Sequence, residues 1–268
     1  MPAYADVNSN HQHSTPLING LNGTGSDLPD CVKYAKYQGD ICITGMSGRS
    51  GQARTLDELK KLLWEKKDGF TTKALRFDID KYGTQKRHAY IDDAEYFDSD
   101  YFGIAPKNAE FLDPNIRLSM EAAYEATVDA GYSMQEIRGS NTGVYVSCVA
   151  YDANCYWLSK GLEVIGEAKK GIGVVNNFRA SRISYAMDLR GPSVCVDTAC
   201  SGYLAAIEAA MKDMRLGIID SAIVAGCQLH CNPMSSLLFM ELGAAGPDAK
   251  CYTFDERGQQ QKKRTTSL

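Results

Sequence analysis

The sequence contains no long apolar run. Nowhere among its 268 residues does a hydrophobic stretch approach the roughly 18 residues that a membrane-spanning helix needs. It does not open on a basic flank followed by an apolar segment, the pattern of a secretory signal, since Met1-Pro2-Ala3-Tyr4-Ala5-Asp6 has neither. Basic residues are not in excess: 29 Lys and Arg stand against 33 Asp and Glu, for a net charge of −4. That balance disfavours nucleic acid and anionic membranes as partners, because both reward a basic face. Histidine is scarce, with only His11, His13, His88 and His230. The composition, 44% hydrophobic and 23% charged, is that of an ordinary soluble globular chain, expected in the cytoplasm.

Cysteine, by contrast, is plentiful: Cys31, Cys42, Cys148, Cys155, Cys195, Cys200, Cys227, Cys231 and Cys251. The count is odd and most of these residues lie inside apolar runs. In a cytosolic chain that reads as buried thiols with one reactive exception, not as a disulfide framework. The segment Cys227-Gln228-Leu229-His230-Cys231 has the one spacing that hints at metal. A structural zinc site wants a second ligand pair at a defined distance and none follows, so no metal is expected.

Along the chain, residues 1–39 are rich in Asn, Ser, Gly, Thr and His without periodicity and read as a flexible leader. Residues 40–258 carry the pattern of a folded domain, and 259–268 form a polar basic tail. Ile41-Cys42-Ile43-Thr44-Gly45-Met46 is continuously apolar, as for a strand buried on both faces. Thr55 is placed to cap a helix with Glu58 as its capping-box partner, and Leu56, Leu59, Leu62 and Leu63 form the apolar face. Residues 71–100 read as an irregular excursion. Asp113-Pro114 starts a second helix that Gly131 stops. A strand over 144–149, a helix over 178–187 and a buried strand over 193–197 come next. A helix over 201–216 with Leu204, Ile207, Met211 and Met214 on its apolar side then leads to a strand over 221–226. Alternating strands and helices predict an α/β fold with a largely parallel sheet.

The chemistry concentrates in Gly191-Pro192-Ser193-Val194-Cys195-Val196-Asp197-Thr198-Ala199-Cys200-Ser201-Gly202. A buried strand, a sharp turn and a cysteine in the first helical turn make a nucleophile elbow, which lifts a side chain to the carboxyl end of a sheet. The N–H groups and dipole of a helix start stabilise an anion there, favouring the thiolate of Cys200, and the Cys200 N–H is aimed to help hold an oxyanion. From the elbow alone, Cys200 reads equally well as a nucleophile or as one more small buried residue. Cys195, inside the strand, reads as the latter.

Val196-Asp197-Thr198-Ala199-Cys200-Ser201 resembles the active-site motif of β-ketoacyl synthases, above all the ketosynthase domains of type I polyketide synthases and animal-like fatty acid synthases. Ile43 to Ser47 resembles the family's opening strand. The stretches Tyr101 to Pro106, Leu112 to Leu118, Glu121 to Gly131, Asn177 to Leu189 and Cys251 to Asp255 resemble other family segments in order and spacing. The resemblance covers residues 40–258 and implies the N-terminal half of a thiolase-like fold, layered α/β/α/β/α. It further implies that Cys200 accepts an acyl group from a phosphopantetheine thioester on an acyl carrier protein. A malonyl-type thioester then decarboxylates and its carbanion attacks the bound acyl group; covalent capture by a thiolate suits this chemistry. The phosphopantetheine belongs to the carrier, so no cofactor is expected on this chain, and a homodimer is the family expectation.

The sequence also departs from the family. Two histidines and a lysine that the family places after the cysteine have no motif here. His230 follows Cys200 but matches neither histidine motif, and His88 precedes it. Asn115-Ile116 replaces a glutamine-rich pair and Gly202-Tyr203 a serine run, with Tyr203 placed either to narrow an acyl pocket or simply to pack. Without the positioned donors, acylation of Cys200 is expected to survive and condensation is not. The helix after Cys200, lacking a second half to cover it, is expected to expose an apolar patch. Two other functions compete: a non-catalytic fragment that binds a partner chain or the acyl carrier protein, and a cysteine hydrolase, for which no downstream histidine base is evident.

Overall fold

A computed structural model describes residues 39–73, 77–147, 149, 156–157, 177–246, 249–250, 252 and 255–256. The leader before residue 39 and the tail over 259–268 therefore lie outside the described residues.

The frame is a parallel three-stranded sheet. Strand β3 (Thr142–Ser147) is central, with β4 (Ser193–Val196) on one side and β5 (Ser221–Gly226) on the other. Val144 lies opposite Ser193 and Thr142 opposite Ser221. All six residues of β3 are buried. The strand starts two residues earlier than its apolar pattern predicts, because the hydroxyls of Ser140, Thr142 and Ser221 join in a row at 2.7 and 2.6 Å and extend the pairing. Parallel strands put all their carboxyl ends, Ser147, Val196 and Gly226, at one edge.

One face of the sheet is covered by α4 (Pro114–Asp129) and α6 (Phe178–Met187). Val144 and Val146 project into a core with Ile116, Met120, Ala180, Ile183 and Met187. Helix α4 begins as expected: Asp113 accepts a hydrogen bond from Asn115 N–H at 2.7 Å, Pro114 fills the first turn, and Gly131 follows the end at φ +85°. The short α3 (Pro106–Phe111) precedes it, and α5 (Met134–Ile137) follows with a full capping box between Ser133 and Glu136.

The other face is covered by α7 (Gly202–Arg215), and here the expected apolar side holds in part: Ile207 and Met214 are partly buried and Met214 packs on the core, but Leu204 and Met211 are not covered. Gly202, Ala206 and Ala210 are the buried residues, whereas Leu204 is 70% exposed and Met211 is exposed too. The reason is Tyr145. Its ring rises from β3 into this layer against Ala206, Ala210 and Ile219, and its hydroxyl donates to Asp213 of α7. Leu204 and Met211 of α7 turn outward, as do Met234 and Leu238 of α8 (Met234–Glu241).

Two predicted strands differ. Ile41 to Met46 forms no strand, and Ile43 is 79% exposed. The segment instead lies along the carboxylates of α4. Asp129 accepts from Met46 N–H at 2.8 Å, Ser47 donates to Glu125, and Arg49 pairs with Glu121 and Glu125 at 2.9 Å each. Its approach is so close that a Cβ on Gly45 would meet Ala130 N at 2.6 Å. Strand β4 forms but is not buried: as the sheet's edge it leaves Val194 37% exposed.

The remaining elements flank this core. In α1 (Leu56–Trp64) Thr55 caps Glu58 N–H as predicted, but the Glu58 carboxylate takes the N–H of Arg54, one residue outside the expected box. No side chain of α1 is buried. The excursion over 71–100 holds the antiparallel pair β1 (Phe70–Thr71) and β2 (His88–Ala89) and the single-turn α2 (Ile79–Tyr82).

Candidate active site

The site forms where β4 hands over to α7. Val196 ends the strand and Asp197 and Thr198 follow. Ala199 then adopts φ +51°, a left-handed conformation that an L-alanine enters only at a cost of about 1 kcal/mol. Ala199–Ser201 is a single 3₁₀ turn with Cys200 exposed at its middle, and Gly202 begins the helix. Strain of this kind at an exposed thiol marks an elbow held in place by its surroundings.

Those surroundings are specific. The Ala199 N–H donates to Asp197 Oδ1 at 3.2 Å. The Ser201 hydroxyl lies 2.8 Å from Thr198 O and 2.9 Å from Thr198 Oγ1. The Gly202 N–H returns to Ala199 O. Beneath the turn, a Cβ on Gly202 would collide with Ser147 Oγ and sit 3.5 Å from Val196 O, so glycine lets the helix start rest directly on the strand ends. Gly226 closes the third strand under Tyr203, whose ring approaches to 3.0 Å of where a Cβ would be. Tyr203 thus packs on the end of β5 while half of its surface stays open.

The other thiols differ from Cys200. Cys195 is partly buried and its Sγ lies 3.6 Å from Asn177 O. Burial, opposed by the nearby Arg179 charge, pushes the Cys227 thiol up to about 11. Cys42 is the other exposed thiol among the described residues, in the segment that crosses α4.

Among the described residues, neither histidine hydrogen-bonds Cys200. His230 follows β5 and so lies toward the same edge of the sheet, with Nε2 3.2 Å from Gln228 Nε2 and a buried Nδ1 that has no partner. His88 sits on β2, its Nδ1 3.2 Å from Lys86 O and its ring against Tyr90. No group of three His, Cys, Asp or Glu side chains fit to hold a metal occurs among the described residues. Cys227 and Cys231 instead pack against Leu118, Ala94 and Leu229.

Sequence reasoning missed a buried polar tie below this edge. Arg179, 1% exposed, approaches Asp113 Oδ2 at 3.8 Å, while Asp113 Oδ1 accepts from Asn115 Nδ2 at 2.8 Å. Asn115, 0% exposed, in turn accepts from Leu229 N–H at 2.6 Å. Asp113 was legible only as a cap and Asn115 only as a departure from a motif; the partner of Asn115 in the loop after β5, Leu229, lies 114 residues away.

Residues 38–260 match the family model described as β-ketoacyl synthase, N-terminal domain. A fatty acid synthase of the goose Anser anser anser is 36% identical over 219 residues, covering 82% of this chain and 62% of that protein. A 6-methylsalicylic acid synthase of Aspergillus niger is 33% identical over 270 residues, covering 92% of this chain and 15% of that one. Among solved structures, the ketosynthase from module 6 of the bacillaene synthase of Bacillus subtilis 168 superposes with a TM-score of 0.68 at 30% identity, covering 78% of this chain and 35% of the other. The chain therefore spans about a third of that ketosynthase's length, and its layered α/β arrangement is the thiolase-like fold.

Proposed function

Because this chain belongs to the β-ketoacyl synthase family through its N-terminal domain, we propose that it is an acyltransferase of fatty acid or polyketide biosynthesis with Cys200 as the acyl-accepting nucleophile. The observation that supports this most is the exposed Cys200 sulfur on a strained turn directly before α7. The substrate is an acyl thioester carried on the phosphopantetheine of an acyl carrier protein. Cys200 loses its proton to solvent and its sulfur attacks the acyl carbonyl. A new C–S bond forms, the carrier's C–S bond breaks, and the departing carrier thiolate takes up a proton. The N–H groups at the start of α7 and its dipole favour the transient oxyanion. In condensation, a malonyl-type thioester loses carbon dioxide and its carbanion displaces Cys200 from the acyl carbon. The two histidines that the resemblance calls for have no counterpart in these 268 residues, so this chain by itself is expected to acylate without condensing. A homodimer is part of the same proposal, and β4, an edge strand among the described residues, is compatible with it.

The test is intact-protein and peptide mass spectrometry after exposure to a long-chain acyl thioester. One acyl adduct is expected, at Cys200, and Cys200→Ala should abolish it. Equal modification of Cys42 and Cys200 would defeat the proposal.

A second reading, a non-catalytic fragment that binds a partner or the acyl carrier protein, draws on the outward Leu204, Met211, Leu238 and Leu242. It predicts carrier binding that Cys200→Ala leaves intact, with no adduct on the wild-type chain.

A further inference from the structure

Resting on the reading of Cys200 as the acyl acceptor, we infer that Asp197 and Ser201 are positioning residues that hold the elbow in its left-handed form for acyl transfer. Ala199 at φ +51° would relax readily if nothing opposed it, since alanine gains by returning to the right-handed or extended regions. Two side chains oppose it from either side. Asp197 Oδ1 engages the N–H of Ala199 itself, the residue that carries the strain. The Ser201 hydroxyl reaches back across Cys200 to the carbonyl of Thr198, at 2.8 Å, and is in range to accept from the Thr198 hydroxyl at 2.9 Å. Together they bracket Cys200, closing the turn at residues 197–199 and again at 198–201. Asp197 and Ser201 are themselves exposed, so both groups would be satisfied by water if the turn did not recruit them.

The bracket matters to one kind of reaction more than another. Acyl transfer to Cys200 passes through a tetrahedral intermediate whose oxyanion needs backbone N–H groups already aligned at the helix start. Alkylation by iodoacetamide displaces iodide in one step and creates no oxyanion. A loosened elbow keeps an exposed, reactive sulfur but loses the aligned donors. The ratio of acylation to alkylation rates at Cys200 therefore reports on positioning, not on exposure.

The experiment measures both rates on the full chain for wild type, Asp197→Ala, Ser201→Ala, Asp197→Asn and Ser201→Thr. A neutral N-acetylcysteamine thioester serves as acyl donor and iodoacetamide as alkylator. The two alanine variants are expected to lose about threefold to tenfold in acylation, the worth of one hydrogen bond, with alkylation changed by less than about twofold. Asp197→Asn keeps the acceptor and Ser201→Thr keeps the hydroxyl, so both should return to near wild-type ratios. Alanine variants with unchanged ratios would overturn the inference while leaving Cys200 as the acyl acceptor. So would a parallel fall in both rates, or a rise in Cys227 labelling that signals general loosening. Failure of wild-type Cys200 to acylate at all would remove both this inference and the reading beneath it.

Discussion

The two faces of the sheet are built by opposite means. On the side of α4 and α6 the layer is thick: Ile116, Met120, Ile183 and Met187 interlock with Val144 and Val146, and a buried Arg179–Asp113–Asn115 tie stitches the helices to the loop after β5. On the side of α7 the layer is thin, closed mainly by Gly202, Ala206 and Ala210 around one tyrosine ring, with Leu204 and Met211 facing out. The first face supplies stability by burying volume. The second supplies closeness: small residues let the helix start settle on the strand ends, which places Cys200 above the sheet's edge. Fold and site thus depend on different sets of residues, and mutations should separate them.

The largest effect is expected on the thick face. Asp113→Ala removes the α4 cap and strips the opposite charge from a fully buried guanidinium, a loss of about 3–5 kcal/mol, read by urea denaturation. A loss under about 1 kcal/mol would mean that the tie is not part of the core. Next, Ile183→Ala should cost about 2–5 kcal/mol, since Ile183 is fully buried. Leu204→Ser on the thin side should change stability by no more than about 0.5 kcal/mol and reduce self-association in sedimentation. Equal costs for these two would erase the contrast between the faces.

What was legible in the sequence follows the same division. Helix α4 announced itself through Asp113, Pro114 and Gly131, and β5 through its unbroken apolar run; both signals are local and neither depends on a distant partner. The elbow was legible because a strand, a turn and a cysteine succeed one another within twelve residues. The Ile41 to Met46 segment misled because apolar character does not supply a strand to pair with, and here it lies on carboxylates of α4 instead. The apolar side of α7 was legible in part: Met214 packs on the Tyr145 cluster, but the buried positions there are Ala206 and Ala210, which size alone does not single out. The bond from Asn115 to Leu229 joins segments that no local pattern connects.

An intermediate effect tests closeness directly. Gly202→Ala places a methyl group against Ser147 Oγ and should cost about 1–3 kcal/mol. It should also slow acylation of Cys200, because the helix start must lift from the strand ends. Ser147→Ala removes that oxygen and leaves its Cβ 3.3 Å away, so the double variant should recover most of both losses. Additive losses would place the strain somewhere other than this contact.

The remaining effects are pH dependences, one on each side of neutrality. Burial pushes the Cys227 thiol above its ordinary value, to about 11. A group whose folded value is raised adds stability below its unfolded value and loses it as pH climbs through the folded one. Wild type should therefore gain less than Cys227→Ala from refolding at high pH, the gap opening between about 8.5, the free thiol's value, and 11. His88 runs the other way. Burial lowers its value despite the backbone contacts of Lys86 and Lys73, so the fold prefers the neutral ring. Its contribution is complete above the ordinary histidine value of about 6.5 and drains away as the solution is acidified below that point. The melting temperature of wild type should thus fall more steeply on acidification than that of His88→Leu, which has nothing to protonate there. Parallel slopes for the two would show that the ring in the β1–β2 pair is as well solvated folded as unfolded.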